Sequence, residues 1–357
     1  MIRTMAACPD IDSVPRLDIL ISSECQPDAW DGYVARHPLG TVDHLWGWRA
    51  VFRQAFGHDS EYLVARRDGA IVGVLPLVLF KSRLFGRSVV SLPMLNYGGL
   101  LIDSADIAAP LMARAGEIAR RFHASHVELR HQVRLTELPA KQHRVSVRMP
   151  LPERSDALWE RLDRKVRNQV RKAQKSGFTV TWGGSEVVED FYKVFSENMR
   201  DLGTPVYSKR LFSSALAQFP ERARICVVSH NGRPVAGGFT LRLNRTTLVP
   251  WASSLKAYRQ MSPNMLLYWS MMEQAISQGA QVFDFGRSLP DSGTMLFKTQ
   301  WWGVPEPQIW EYLLLSATAI PNQGSTNTRF NMAIEMWKRL PLLIANATGP
   351  FIVRNIP

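Results

Sequence analysis

Lys298 follows Phe297 and is itself followed three and four residues on by Trp301 and Trp302, so a cation is set among aromatic rings. A cation held in that way can stabilise negative charge developing on a carbonyl or phosphate oxygen. The alternative is a solvent-facing lysine on a short helix, because lysines are seldom buried. Asp284 and Arg287 stand at the end of a predicted strand, where an active-site loop would begin. The carboxylate there can take a proton and the guanidinium can hold an anion, or the two can pair with each other. Arg200, Asp201 and Tyr207 bracket Leu202-Gly203-Thr204-Pro205, a turn leaving a helix. Such a turn can shape an acceptor pocket or be ordinary turn chemistry. Asn96 and Tyr97 precede Gly98-Gly99, whose missing side chains let a ligand approach the backbone, although a plain loop explains the glycines too.

Charge supplies a second set of candidates. Between Arg161 and Lys175 seven cations face one anion, Asp163. Arg164, Lys165, Arg167 and Arg171 in this run can neutralise the phosphates of a tRNA or a nucleotide sugar, or form a solvated helix face. Over the whole chain 43 Lys and Arg oppose 31 Asp and Glu, a net charge of +12 that favours anionic partners. No Gly-x-Ser-x-Gly elbow, no HExxH and no convincing Cys/His pair occurs, so covalent serine hydrolases and zinc proteases find no support. Cys8, Cys25 and Cys226 lack ligand spacing, and His123, His126 and His131 form no convincing set. We expect no metal, no disulfide framework and a reducing cytosol.

The elements that must position these residues follow from periodicity. With 357 residues, 46% apolar and 21% charged, the chain can bury two cores. Leu158, Leu162, Val166, Val170 and Ala173 recur at helical spacing and predict one amphipathic helix closed by Gly177, with a strand over Phe178–Trp182. Tyr62–Arg66, Asp68-Gly69 and Ile71–Phe80 read as a hairpin, since Asp-Gly adopts the positive φ of tight turns. Ile225–Ser229, Asn231-Gly232 and Val235–Leu243 repeat it 163 positions later, with four identical pairs at that offset, Phe56/Phe219, Val64/Val227, Gly69/Gly232 and Val72/Val235. Each hairpin leads to a strand, a helix and a strand. These are Val89–Leu92, 107–122 and His126–Leu129 in the first half. In the second they are Thr247–Ala252, a helix over Pro263–Gln278 capped by Ser262 and ended by Gly279, and Gln281–Phe285. The fold class is α/β, a mixed sheet built twice. We expect a loose N-terminus over 1–18 with no signal peptide, domains over 19–150 and 151–320, and a tail over 321–357 that packs on the fold or lies on a membrane.

This doubled order resembles the tandem acetyltransferase (GNAT-like) fold of the FemAB family, whose members attach amino acids to cell-wall precursors. Leu92-Pro93-Met94-Leu95-Asn96-Tyr97-Gly98-Gly99 resembles the family's Pro…Tyr-Gly-Gly segment, Lys165–Ala173 with Gly177 its basic helix, and Gly293-Thr294-Met295-Leu296-Phe297-Lys298 its Phe-Lys signature. Asn198–Ser208, Phe283–Ser288 and the Leu340–Pro357 tail are similar to FemAB-like proteins associated with exosortase and PEP-CTERM systems of exopolysaccharide-producing bacteria. Two departures stand out: no long helical hairpin is evident, and the acetyltransferase pyrophosphate loop survives only as Arg259-Gln260-Met261-Ser262-Pro263-Asn264. Ser262 and Asn264 stand where glycines are usual, which leaves the backbone fewer ways to wrap a phosphate.

The resemblance implies an acyl- or aminoacyl-transferase that acts directly, without a covalent enzyme intermediate and without a tightly bound cofactor. Its donor would be acyl-CoA or aminoacyl-tRNA. Its acceptor would be an amino group on a small or lipid-linked amino-sugar or peptide precursor of cell envelope or exopolysaccharide. Lys298 and Asp284 would be catalytic. Arg287, Arg200, Asp201, Tyr207, Asn96, Tyr97 and Phe297 would bind substrate, and Arg164, Lys165, Arg167, Arg171 and Arg259 the donor. The expected location is the cytoplasm or the inner face of the cytoplasmic membrane, which the tail would touch. Two other functions fit the sequence: a noncatalytic assembly factor for exopolysaccharide machinery, and a basic RNA-binding module.

Overall fold

In the computed structural model Asp68 and Gly69 turn the chain with φ of 51° and 81°, and Asn231 and Gly232 with 50° and 76°. Both pairs close hairpins because Asn, Asp and Gly tolerate the left-handed region that two-residue turns need. The structure describes residues 17–21, 24–83, 85–321 and 328–356. The expectation of a loose start over 1–18 lies outside the described residues as far as 16, and is corrected at Leu17 and Asp18, which open β1 and pair with Arg67 and Arg66 of β2.

The first half runs β1 (Leu17–Ile21), α1 (Pro27–Arg36), α2 (Trp48–Phe56), β2 (Asp59–Arg67), β3 (Ala70–Ser82), β4 (Gly86–Val90), β5 (Leu101–Ile102), α3 (Ala108–Arg121), β6 (His126–His131) and β7 (Ala140–Pro150). The second opens with α4 (Ser155–Arg161), α5 (Arg164–Gln174), β8 (Phe178–Gly183), α6 (Val188–Asp201) and α7 (Lys209–Gln218). It continues through β9 (Ala223–His230), β10 (Arg233–Leu243), β11 (Thr246–Ser254), α8 (Pro263–Ser277), β12 (Val282–Ser288), α9 (Gly293–Thr299) and β13 (Val304–Leu314). The tail forms α10 (Thr328–Lys338) and α11 (Leu342–Val353).

Among the described residues all strands join one sheet, in the order β1-β2-β3-β4-β6-β13-β7-β12-β11-β10-β9-β8, with β5 on β3. Each half repeats three antiparallel strands, a helix and a strand returning parallel to the third: β4 pairs β6, and β11 pairs β12. Between the repeats the closing strands are exchanged. Strand β7 pairs β12 of the second half, and β13 pairs β6 of the first, while β7 and β13 pair with each other.

Helix α3 covers one face of the first half, and α4, α5 and α8 the same side of the second. Helix α8 is apolar nearly all round because it is wedged between α5 and the sheet. The opposite face is shared: α1, α2, α6 and α7 close over both halves in one apolar layer, where Trp48 meets Phe219 with ring centroids 5.1 Å apart.

Two local expectations change. The stripe Leu158–Ala173 is buried as its spacing demands, yet it is carried by two helices, not one. The break falls where Leu162 turns extended (ψ 143°) and Asp163 begins the second helix. Ser262 does precede α8, but it sits in the left-handed region at φ 62° and its side chain makes no cap bond. That geometry aims the hydroxyl away from the helix's free N–H groups, and Pro263 at the first turn has no N–H to satisfy.

Candidate active site

The shared face is apolar except across its four central strands. In β7 the side chains alternate, with Val147 and Met149 in the core on one side and Ser146 on the other. In β12 Phe283 and Phe285 take the core side and Asp284 the other. Strands β6 and β13 add Glu128, Arg130 and Gln308, all buried. A polar seam therefore runs down the middle of the sheet, where the two halves exchange strands.

The segment 92–97 lies against this seam. Asp43 fixes it by accepting from the N–H groups of Asn96 (3.0 Å) and Tyr97 (3.1 Å). Gln308 donates to the Asn96 carbonyl at 3.1 Å and to the Ser146 hydroxyl at 2.9 Å. The Tyr97 hydroxyl lies 2.7 Å from Ser146 and 2.8 Å from Asp284 Oδ2. A phenol has one proton, so when Tyr97 donates it to Asp284 the Ser146 hydroxyl donates to Tyr97. The result is a relay from Gln308 through Ser146 and Tyr97 to Asp284.

Asp284 is 2% exposed, and burial raises its pKa against the opposing pull of Tyr97, the Gly286 N–H, Arg148 and Lys298. Burial also pushes the buried Asp43 up to about 7. Asp284 and Arg287 do not pair with each other. Arg287 donates to the carbonyls of Leu95 (3.1 Å) and Met94 (3.3 Å), and Arg148 Nε lies 3.9 Å from Asp284.

Lys298 is not solvent-facing. It is 8% exposed, and its ammonium donates to the carbonyls of Gly286 (3.0 Å) and Arg287 (2.9 Å). Those carbonyls lie where β12 loses register with β7 between Asp284 and Arg287, which turns them from the ladder. Gly286 is required there: its φ is +70°, and a Cβ would come within 2.9 Å of the Val249 carbonyl. Burial pushes the Lys298 pKa down to about 8, with Asp284 opposing and Arg287 adding to the shift.

Two cavities lie beside this network; Lys298 lines neither, although its neighbour Phe297 borders the second. One of about 510 Å³ lies at the seam, with Tyr97, Arg148 and Asp284 in its wall beside residues 35–42 and 243–248. The other, about 820 Å³, lies among α5, α8 and α9 and is lined by Lys165, Gln169, Lys256, Arg259, Asn264 and Phe297, among others. Its cations and the α8 N-terminus suit a phosphate. Ser262 takes a left-handed conformation there without being glycine, so its replacement does not deny the turn that conformation.

The remaining sequence candidates fall unevenly. Lys165, Arg259, Phe297 and Asp201 border the larger cavity. Arg164 faces solvent, Arg171 is exposed and stacks on Trp159 at 5.2 Å, and Arg167 is half-buried outside the lining. Arg200 pairs with Asp201 at 2.6 Å and donates to the Leu340 carbonyl at 3.1 Å, so it ties the tail to α6. Tyr207 is half-buried near Arg287, and its pKa is raised by burial. Asp43, Ser146, Arg148 and Gln308 belong to the site and were missed. The alternation Arg144, Ser146, Arg148 against Val145, Val147, Met149 in β7 is the signal that could have found two of them. His131 bonds Glu311 in the interior, a structural contact, and among the described residues no cluster of His, Cys, Asp and Glu could hold a metal.

Residues 160–299 match the family model of the acetyltransferase (GNAT) domain. The chain has the tandem GNAT fold. Among solved structures it is similar to FemX, at 16% identity and a TM-score of 0.67 over 84% of this chain and 98% of that one. It is also similar to L-PGS from Bacillus licheniformis (11%, 0.55, 88% and 98%) and to a tandem GNAT protein from the clavulanic acid biosynthesis pathway (12%, 0.52, 85% and 100%). At these identities the likeness to solved structures is one of fold. No curated protein matches the sequence. The match of residues 160–299 to the GNAT domain supports an acyltransferase.

Proposed function

We propose that this chain transfers an acyl or aminoacyl group directly to an amine, with the donor in the cavity along α5, α8 and α9 and the amine entering the cavity at the seam. The observation that carries this reading is the buried ammonium of Lys298, poised on the β12 bulge next to Asp284. Two of its three protons are held by backbone carbonyls, which leaves one for an oxyanion. In a dry site such a donor stabilises developing charge far better than in water.

The amine attacks the acyl carbonyl carbon, a C–N bond forms, and the carbonyl oxygen gains the charge that Lys298 faces. Asp284, whose pKa is raised, takes the proton the amine sheds. Collapse breaks the bond to the thiol or ester oxygen of the donor, and the leaving group accepts a proton in turn. Tyr97 and Arg148 hold the carboxylate in place.

For the donor, Lys165, Lys256 and Arg259 favour a compound with phosphates, which fits acyl-CoA. The exposed cations of α5 beside that cavity keep aminoacyl-tRNA as the alternative. The acceptor class, an amine on an envelope or exopolysaccharide precursor met in the cytoplasm or at the inner membrane face, rests on the similar strings at 198–208 and 283–288. Tail contact with the membrane is supported by Leu343 and Phe351, 83% and 69% exposed on α11. Among the described residues no helix is long and apolar enough to cross a membrane.

The test is transfer of label from [14C]acetyl-CoA or [14C]alanyl-tRNA to a panel of amino sugars and nucleotide-linked amino sugars. Lys298→Ala and Asp284→Asn should each lower the rate roughly 100-fold or more while the fold persists. An undiminished rate in Lys298→Ala would remove that residue from the chemistry.

A further inference from the structure

Three arginines from three strands converge at one end of the seam. Arg130 of β6 and Arg287 of β12 both donate to the Leu95 carbonyl, at 3.4 and 3.1 Å, so their guanidinium groups stand side by side. Arg130 also lies over the Trp310 ring at 4.1 Å and pairs with Glu128 at 2.8 Å. Arg144 of β7 is opposite Gln308 on β13, the strand that carries Trp310, and its Nε is buried with no partner. His143 stands edge-on to Trp310, with ring centroids 4.5 Å apart.

The charges do not balance. Glu128 is committed to Arg130, and among the described residues neither Arg144 nor Arg287 has a carboxylate within ion-pair distance. Asp43, the other acid near Arg287, is turned to the N–H groups of Asn96 and Tyr97. Burial, then Arg130, push Arg287 down to about 10, and burial with the surrounding cations pushes His143 down to about 4. The Tyr207 phenol feels Arg287, Arg130 and Arg144 together, so it stands near all three. Arg144, Arg287, His143 and Tyr207 are only half-buried, whereas Arg130 is 1% exposed, so solvent reaches the outer members of the cluster and Arg130 backs them from the interior. Crowded guanidinium groups that lack acids repel one another, and an oxyanion removes that cost while matching their forked donors.

We propose that Arg130, Arg144 and Arg287, with Tyr207 at the rim, bind an oxyanion of the acceptor, a phosphate or a carboxylate carried beyond the amine that reacts. The assignment to the acceptor rests on the acyltransferase reading; the anion site itself does not. It confines the substrate to anionic amines and places the charged group on the shared face, away from the cations of the α5, α8 and α9 cavity.

Calorimetric titration of the full chain with sodium pyrophosphate and, separately, sodium succinate, at ionic strength fixed with NaCl, tests this. Saturable binding of one of them is expected. Arg144→Gln should weaken it roughly 10- to 100-fold, the loss typical of one charge-assisted contact, and Arg53→Gln at an exposed position of α2 should leave it unchanged. Pyrophosphate binding that Arg144→Gln weakens assigns a phosphate-bearing acceptor, because the cavity along α5, α8 and α9 would bind the ion alike in both proteins, and succinate binding weakened in the same way assigns a carboxylate. No saturable binding of either ion, or equal binding by Arg144→Gln, overturns the proposal. In the transfer assay Arg144→Gln should raise the acceptor KM and leave kcat near its original value. Binding that behaves as expected in a protein that transfers no acyl group would leave the anion site standing and refute the acyltransferase.

Discussion

The buried ammonium of Lys298 should write itself into the pH dependence of stability. Its pKa is held near 8 in the folded chain against an ordinary 10.5, because burial disfavours the charge more than Asp284 favours it. Below pH 8 both folded and unfolded chains carry the proton, and the cost of burying the charge is present in full. Between pH 8 and 10.5 the unfolded chain binds more protons, so this group's contribution makes stability rise with pH. The difference of about 2.5 units corresponds to about 3 kcal/mol across that window. At 8% exposure, solvent screening takes little from this figure. Lys298→Met keeps all but the last atom of the side chain's length and removes the titration. Urea unfolding of both proteins at intervals from pH 7 to 10.5 reads the effect, because titrating groups that do not interact with Lys298 cancel in the difference, leaving Lys298 with its neighbours Asp284 and Arg287. Wild type should gain on the variant by a few kcal/mol over the window. A flat difference, or one of opposite sign, would mean that the ammonium is not buried as described. Transfer activity should fall as pH rises through 8, since the neutral amine no longer stabilises an oxyanion.

Other outcomes follow from the same geometry. Tyr97→Phe breaks the relay between Ser146 and Asp284 in a buried setting and should cost about 1–3 kcal/mol by denaturant unfolding, with transfer reduced as well. Gly286→Ala forces a side chain into a left-handed position and against the Val249 carbonyl, so a loss of about 2 kcal/mol or more is expected, read as a lower Tm. Glutamate at both Leu343 and Phe351 should abolish co-sedimentation with vesicles containing anionic lipid, and Tm should hold because both side chains are exposed. Wild type that fails to sediment would remove the tail from membrane contact.

Much of the fold was legible because its signals are local. Asp68-Gly69 and Asn231-Gly232 turn as their chemistry demands, and the strands beside them and the helix after Pro263 fall within a few residues of expectation. The exchanged strands β7 and β13 were not legible. Lys141, Gln142, Arg144 and Arg148 make β7 look like a polar loop, and Pro305 and Pro307 argue against a strand in β13. Those polar residues belong to the seam, which is buried on folding only because strands distant in sequence pair there. The site shows the same division. Lys298, Asp284, Arg287, Asn96 and Tyr97 stood in recognisable strings, and the structure brings them together around the β12 bulge. Asp43, Ser146, Arg148 and Gln308 act through contacts across as many as 212 positions, which no local pattern encodes. Arg200 reads as a pocket residue from its turn, whereas its partner is a tail carbonyl 140 positions away.

The central claim is that acyl transfer takes place beside Lys298. It is tested most directly by single-turnover transfer of label from [14C]acetyl-CoA or [14C]alanyl-tRNA to an amine acceptor, with wild type and Lys298→Ala compared at pH 7. The account predicts label in the acceptor with wild type and a rate lower by roughly 100-fold or more with the variant. Equal rates would contradict it, and so would the absence of transfer by wild type from either donor to every amine offered.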